Sequence, residues 1–324
     1  MAPRSHHPRP DDDAAAASAD AGVAAAGADA SLKDISRYGR RAEVVTVDRL
    51  TTTGTVRIAL QVIDRGSFTF APGHFVAVRQ DVPGYGPARS PYCIFSPPGP
   101  ERSFDLLLRV FPEGPLPQHL ASLNRGDLIH FRGPSGRSMI PGNEDTELIL
   151  LATGVGVSPF NSLCRALLAG GHRGRIRLYW GLRLADDICL TEDLDELASR
   201  HRNFTYQISL SQPPPSWPGL RGRVTESVPP LLDALNQKRF YLSGNGAMVE
   251  EMEVALTSLG VDRASIHEER FFNLRHRPKP DVIDAIVSRF ADHDPFSLRA
   301  DLLAHGQLFH LDRDVKGRLG HPPR

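Results

Sequence analysis

From residue 41 onward the chain alternates apolar and polar positions in short runs. Ala42-Glu43-Val44-Val45-Thr46-Val47 and the segment Thr55–Val62 are rich in β-branched residues with a period of two, which suits half-buried strands. Apolar runs at 75–79, 92–96, 104–110 and 128–131 predict four more strands, and 116–123 predicts a short helix. Gly54, Pro72-Gly73, Gly84, Pro97-Pro98-Gly99, Pro112 and Gly126 separate these segments. Six punctuated strands predict a small closed antiparallel β-barrel. After Gly142 the rhythm changes. Apolar runs at 148–152, 176–181, 204–210, 240–243 and 266–272 predict strands, and patterns at 159–168, 192–200, 224–235 and 247–259 predict helices. Alternation of this kind predicts a doubly wound α/β domain on a parallel sheet. The expected fold class is β + α/β, a six-stranded antiparallel β-barrel followed by the α/β domain.

The ends of the chain read differently. Within residues 1–38, the run from Asp11 to Ala30 has no large apolar residue except Val23. It cannot bury a core, so a disordered low-complexity tail is expected. Acidic residues interrupt its alanines, which is not the pattern of a secretory signal. Residues 273–324 form a C-terminal extension, with Val282, Ile283, Ile286, Val287 and Phe290 at helical spacing. The barrel is assigned to 39–142 and the α/β domain to 143–272.

Composition narrows the function classes. Lys+Arg and Asp+Glu both number 38 in 324 residues, for a formal net charge of +0. Such a balance gives no global case for nucleic acid or an anionic membrane. No apolar run approaches the ~20 residues of a transmembrane helix. The three cysteines, Cys93, Cys164 and Cys189, are scattered; they make neither a disulfide framework nor a four-thiolate cluster. A reducing, cytoplasmic setting is expected. The histidines show no ligand spacing, so no metal site is expected, and oligomeric state is not legible.

The stretch from Glu147 to Leu168 carries the strongest local signal. A continuous apolar run, 148–152, reads as a buried parallel strand. The chain then turns through Thr153-Gly154-Val155-Gly156-Val157-Ser158 and enters a helix at Pro159. Ser158 is the expected N-cap and Pro159 the first helical residue. Gly154 and Gly156 let the backbone turn and let a ligand approach. A helix N-terminus behind such a loop suits a pyrophosphate. The loop is not a G-x-G-x-x-G fingerprint, because Pro159 stands at the third glycine, and an ordinary crossover without a ligand is the competing reading.

Further motifs lie on either side, in a fixed order: Arg89-Ser90-Pro91-Tyr92-Cys93-Ile94-Phe95-Ser96, then Gly114-Pro115-Leu116-Pro117-Gln118, then Gly133-Pro134-Ser135-Gly136. After the glycine loop come Trp180-Gly181-Leu182-Arg183, Ser211-Gln212, Leu220-Arg221-Gly222-Arg223, Ser243-Gly244-Asn245-Gly246-Ala247-Met248 and Glu268-Glu269-Arg270-Phe271-Phe272. A barrel, an α/β domain and this order of motifs resemble the ferredoxin–NADP reductase-like flavoproteins, over about two-thirds of the chain.

The resemblance implies FAD on the barrel and NADPH or NADH as co-substrate on the α/β domain. It implies that Arg89 meets the flavin pyrophosphate, that Tyr92 stacks on the isoalloxazine, and that Cys93 and Ile94 lie beside it. Cys93 stands where the family has serine, and one extra residue separates Arg89 from Tyr92. Gly114 and Gln118 fall at the phosphate-binding helix, where Pro117 replaces a hydroxyl residue. Thr153, Gly154, Gly156, Ser158 and Pro159 correspond to the coenzyme pyrophosphate loop. Ser243, Gly244, Asn245 and Met248 correspond to the strand end facing the nicotinamide, with Ser243 at the usual cysteine position. Tyr92, Cys93, Ser243 and Glu269 are thereby the candidate catalytic residues. Glu269 and Phe272 correspond to the last strand, near the flavin, although Phe271 and Phe272 also suit the packing of a sheet edge. Arg183 and Arg223 are candidates for a 2′-phosphate site, or else solvated surface charges, and Gln212 has lost the family's third cation. A moderate NADPH preference with NADH still used is the expectation. The implied activity is hydride transfer from NAD(P)H to flavin, then electron delivery to a separate acceptor such as ferredoxin or flavodoxin. A reductase component of an oxygenase and a non-catalytic nucleotide-binding subunit are the alternatives.

Overall fold

The computed structural model describes residues 39–112 and 114–271. The expected N-terminal tail, the C-terminal extension and Phe272 lie outside the described residues. Six antiparallel strands come first: β1 (Arg40–Arg49), β2 (Thr55–Val62), β3 (Phe75–Val82), β4 (Gly86–Cys93), β5 (Ser103–Arg109) and β6 (Leu128–Ser135). Helix α1 (Pro115–Ser122) stands between the last two. The strand order is β4-β3-β6-β1-β2-β5. The outer strands of this order meet beyond the end of β4 at a single bridge, Ile94 to Leu106. The sheet is therefore a half-barrel drawn together at one point, where full closure was expected. Alternation drives it: Val56, Ile58, Leu60 and Val62 of β2 face inward, joined by Val76 and Val78. Phe104 lies 5.2 Å from both Phe68 and Phe131, ring centre to ring centre.

One boundary moves in a way that matters for the site. The expected strand at 92–96 begins earlier, at Gly86, after a turn through Gly84. Its register against β3 is unbroken from Phe75↔Cys93 to Val82↔Gly86. Side chains two apart thus share a face along the whole of β4.

The second half is a parallel sheet. Its strands are β7 (Glu147–Thr153), β8 (Ile176–Leu182), β9 (Phe204–Leu210), the two-residue β10 (Leu220–Arg221), β11 (Lys238–Asn245) and β12 (Ile266–Phe271). The order is β10-β9-β8-β7-β11-β12. Leu148 to Ala152 are each 0% exposed, as a central strand covered on both faces requires. Helices α2 (Ser158–Ala169) and α3 (Thr191–Arg200) cover one face, while α4 (Val224–Ser227) and α5 (Gly246–Ser258) cover the other. The helix expected over 224–235 is a correction: α4 stops at Ser227, and a short 3₁₀ turn, Pro229–Leu231, follows. Pro229 and Pro230 withhold the N–H groups an α-helix would need there.

The two halves share a core and hydrogen bonds. Phe95 and Leu107 of the barrel half pack into the apolar cluster of the α/β half. Asn161 Nδ2 donates to the Phe95 carbonyl at 2.9 Å, and Tyr241 Oη to that of Met139 at 2.9 Å.

Candidate active site

Strand order reverses between β7 and β11, and ligands of open α/β sheets bind outside the strand C-termini at such a switch point. A cleft of about 670 Å³ opens there, between the parallel sheet and the barrel. On the barrel side Pro91, Tyr92 and Cys93 line it, with Leu107, Phe111 and Pro117. On the opposite side are Thr153, Gly154, Gly156, Ser158, Asn245 and Met248. The outer rim carries Arg183, Ser211, Arg223 and Thr225. Among the described residues no cluster of metal-binding side chains occurs.

The glycine loop is built differently from its sequence expectation. Gly154–Val157 forms a 3₁₀ turn that runs straight into α2, with Val157 as N-cap and Pro159 inside the first turn. Ser158 is a helical residue, not the cap; its Oγ donates back to the Val155 carbonyl at 2.8 Å. The two glycines serve different ends. Gly154 has φ +53 and open space where a Cβ would stand, so this backbone is presented to the cleft. A Cβ on Gly156 would lie 2.5 Å from the Ser243 carbonyl oxygen. Gly156 therefore lets β11 pass close behind the loop. Trp180, 1% exposed, donates its indole N–H to the Gly154 carbonyl at 2.8 Å and fixes the loop from β8.

The end of β11 is held to the same loop. Asn245 N–H donates to Thr153 Oγ1 at 3.2 Å, and Asn245 Oδ1 accepts from Ala247 N–H at 2.9 Å, capping α5. Gly244, with φ +143, has no room for a Cβ beside Thr153 Oγ1. Ser243 is fully buried, and its hydroxyl finds no hydrogen-bond partner among the described residues. It lies behind the cleft wall.

Cys93 and Glu269 meet across the two halves. The Cys93 thiol donates to Glu269 Oε2 at 3.3 Å, and both residues are buried. Burial, together with the Glu269 charge and hydrogen bond, holds the thiol pKa well above its ordinary value. Burial alone pushes the Tyr92 phenol far upward, against a smaller opposing effect of Ser90. Cys164 is pushed up to about 12 and Cys189 to about 11, each chiefly by burial. Only the thiolate reacts, so all three cysteines should resist a thiol-specific disulfide reagent at pH 8 in the native protein and react in denaturant. Titration of thiols before and after unfolding checks this; a thiol that reacts rapidly in the native state refutes it.

Other predicted residues are not brought to the cleft. Arg89 stands three positions from Tyr92 on a regular strand, so the two point to opposite faces. Ser90, not Arg89, shares the Tyr92 face. Ile94 is 1% exposed and sits in the barrel core, its N–H donating to the His74 carbonyl. Gln118 Nε2 donates to the Phe111 and Pro112 carbonyls at 3.0 and 2.6 Å, tying down its own loop. Gly114 is the N-cap of α1.

A bridge across the cleft lies outside every motif in the sequence. Arg109 Nη1 at the end of β5 donates to Asp187 Oδ1 at 2.9 Å, as well as to Thr53 and Thr55 hydroxyls. Arg109 and Asp187 both line the cleft. Nothing local marks this pair, because 78 residues separate its members.

Residues 45–140 match the oxidoreductase FAD-binding domain model and residues 150–253 the oxidoreductase NAD-binding domain model. Ferredoxin–NADP reductase B of Sorangium cellulosum (strain So ce56) is 31% identical over 215 residues, covering 64% of this chain and 88% of that protein. NADH-cytochrome b5 reductase 1 of Aspergillus clavatus is 31% identical over 169 residues, 50% of this chain. The match spans 55% of that reductase's length. Among solved structures, the Amycolatopsis cytochrome P450 reductase GcoB superposes with a TM-score of 0.64 at 25% identity, over 71% of this chain and 69% of that one. The fold and cleft define a two-domain flavin reductase. The chain belongs to the ferredoxin–NADP reductase-like family and is an NAD(P)H-dependent flavin oxidoreductase with FAD- and NAD-binding domains.

Proposed function

We propose that the protein takes reducing equivalents from NADPH or NADH through FAD and delivers them singly to a separate protein acceptor, a ferredoxin or flavodoxin. The observation that carries this reading is the cleft at the switch point. It sets the open Gly154 backbone opposite the Pro91-Tyr92-Cys93 strand end. Both walls fit their groups: an apolar, aromatic strip suits a flat ring system, and a glycine loop at a helix N-terminus suits a pyrophosphate. Bound flavin supplies the chemistry, accepting a hydride and releasing electrons one at a time.

The chain's own residues position and shield. Residues 39–142 hold the flavin and 143–272 the nicotinamide coenzyme. Tyr92 gives an aromatic wall, and Cys93 with Glu269 closes the barrel side with a proton held on sulfur. Thr153, Gly154, Asn245 and Met248 seat the coenzyme, with Gly156 and Gly244 making room for their backbones. Arg89 is not among the residues that line the cleft. No described helix is long and apolar enough to cross a membrane. Cys93, Cys164 and Cys189 form no disulfide among the described residues, which supports a reducing, cytoplasmic setting. A second reading, the reductase component of an oxygenase, is favoured by the likeness to the P450 reductase.

Purified protein should carry flavin absorbance in the visible and reduce ferricyanide with NADPH or NADH. Transfer to added ferredoxin or flavodoxin in preference to an oxygenase component supports the first reading. A colourless protein that takes up no added FAD refutes both.

A further inference from the structure

The outer rim of the cleft holds an unusual balance of charge. Arg183 follows β8, Ser211 follows β9, and Arg223 and Thr225 open α4; all four line the cleft. Arg183 Nε donates to Gln212 Oε1 at 3.4 Å. Arg221, the other nearby cation, is spent on its own loop, donating to the Pro214, Pro215 and Trp217 carbonyls at 3.2, 2.7 and 2.8 Å. Two guanidinium groups therefore serve the rim, and one of them is already matched. Arg223 Nη2 lies 2.9 Å from Glu251 Oε2, and Thr225 Oγ1 donates to the same oxygen at 3.2 Å. Glu251 reaches this point from α5, the helix that Asn245 caps at the cleft.

We propose that Glu251 is a coenzyme-selecting residue. Its carboxylate takes the two donors, Arg223 and Thr225, that a 2′-phosphate would need, and so moves the rim away from NADPH and toward NADH. The proposal rests on reading this rim as the seat of the adenosine ribose. A phosphate carries up to two negative charges at neutral pH. To bind, it must break the Arg223–Glu251 pair and then stand beside the displaced carboxylate. A 2′-hydroxyl has no such conflict, because it can donate to Glu251 and leave the pair in place. Specificity of this kind comes from the repulsive element as much as the attractive one. The pair is about half exposed, 50% and 45%, so solvent screens it and the effect is moderate.

The test compares wild type, Glu251→Gln and the Arg183→Ala/Arg223→Ala double variant as full-length, flavin-loaded proteins. Steady-state ferricyanide reduction gives KM for each coenzyme. Inhibition by 2′,5′-ADP against 5′-ADP reports binding of the phosphate apart from turnover. Glu251→Gln should lower both the KM for NADPH and the inhibition constant of 2′,5′-ADP by about three- to tenfold, the scale of one screened charge contact. Its KM for NADH should stay level or rise, and Glu251→Asp should restore the wild-type ratio. If Glu251→Gln moves neither NADPH nor 2′,5′-ADP while the double variant still weakens both, Glu251 is not the selector. If the double variant also moves neither, the ribose end lies elsewhere and the proposal falls with that assignment.

Discussion

Substituting both Arg183 and Arg223 by alanine is expected to raise the KM for NADPH by about 10- to 100-fold and leave that for NADH within about twofold. A charge-assisted hydrogen bond is worth about 1.5–3 kcal/mol, and exposure lowers that figure at a rim open to solvent. Two such contacts, each discounted to about 1 kcal/mol, give about 30-fold, the middle of the range. Release of Glu251 raises it further, since without Arg223 the carboxylate faces the phosphate uncompensated. The same reasoning narrows the wild-type preference. Two arginines alone would favour NADPH clearly. With Arg223 shared by Glu251 and Gln212 in place of a third cation, NADH should compete well. Steady-state kinetics with ferricyanide checks both points. Equal loss with the two coenzymes would show that these arginines support the fold rather than read the phosphate.

The strand rhythm, the glycine loop and the order of the motifs were legible because each is local. A buried parallel strand announces itself in five successive apolar residues, 148–152, all fully buried. The half-barrel strands announce themselves by alternation. What was not legible depends on register or on distance. The face that Arg89 takes follows from where β4 begins, and Gly86 rather than Tyr92 begins it. Ser158 has the chemistry of an N-cap, but the 3₁₀ turn before it already continues the helix. Gly156 reads as a ligand glycine, yet its need is the β11 backbone, 87 positions later at Ser243. The Arg109–Asp187 and Cys93–Glu269 pairs join residues from opposite halves, and no periodicity in one segment can report a partner in another.

The Arg109–Asp187 bridge carries the other large effect. Asp187→Ala is expected to lower kcat/KM for NADPH and NADH alike by about tenfold or more and to lower the melting temperature by about 5–10 °C. Asp187 has 8% of its side chain exposed and Arg109 28%. Breaking such a pair leaves a poorly solvated guanidinium, at a cost of about 2–4 kcal/mol once partial exposure is allowed for; over a domain of this size that corresponds to a few degrees per kcal/mol. The carboxylate also accepts from the Leu184 N–H at 3.1 Å, so its loss removes a bond inside the turn that follows β8. Both coenzymes suffer equally because the bridge sets how the α/β half meets the barrel half, and hydride transfer depends on placing two rings against each other, where a shift of about 1 Å can cost 10²-fold. Flavin content should hold, since the bridge touches the cleft wall rather than the Tyr92 strand. Acid behaviour gives an independent readout. Burial raises the Asp187 pKa, but hydrogen bonds from Thr53, Arg109 and the Leu184 amide outweigh it and bring it below the ordinary carboxylate value. A depressed pKa contributes stability that is present above the unfolded-state value, near 4, and lost as pH falls through the folded one. Wild type should therefore lose melting temperature more steeply than Asp187→Ala as pH drops below about 4. Parallel acid limbs, or selective loss with one coenzyme, would show that the bridge does not fix the two halves.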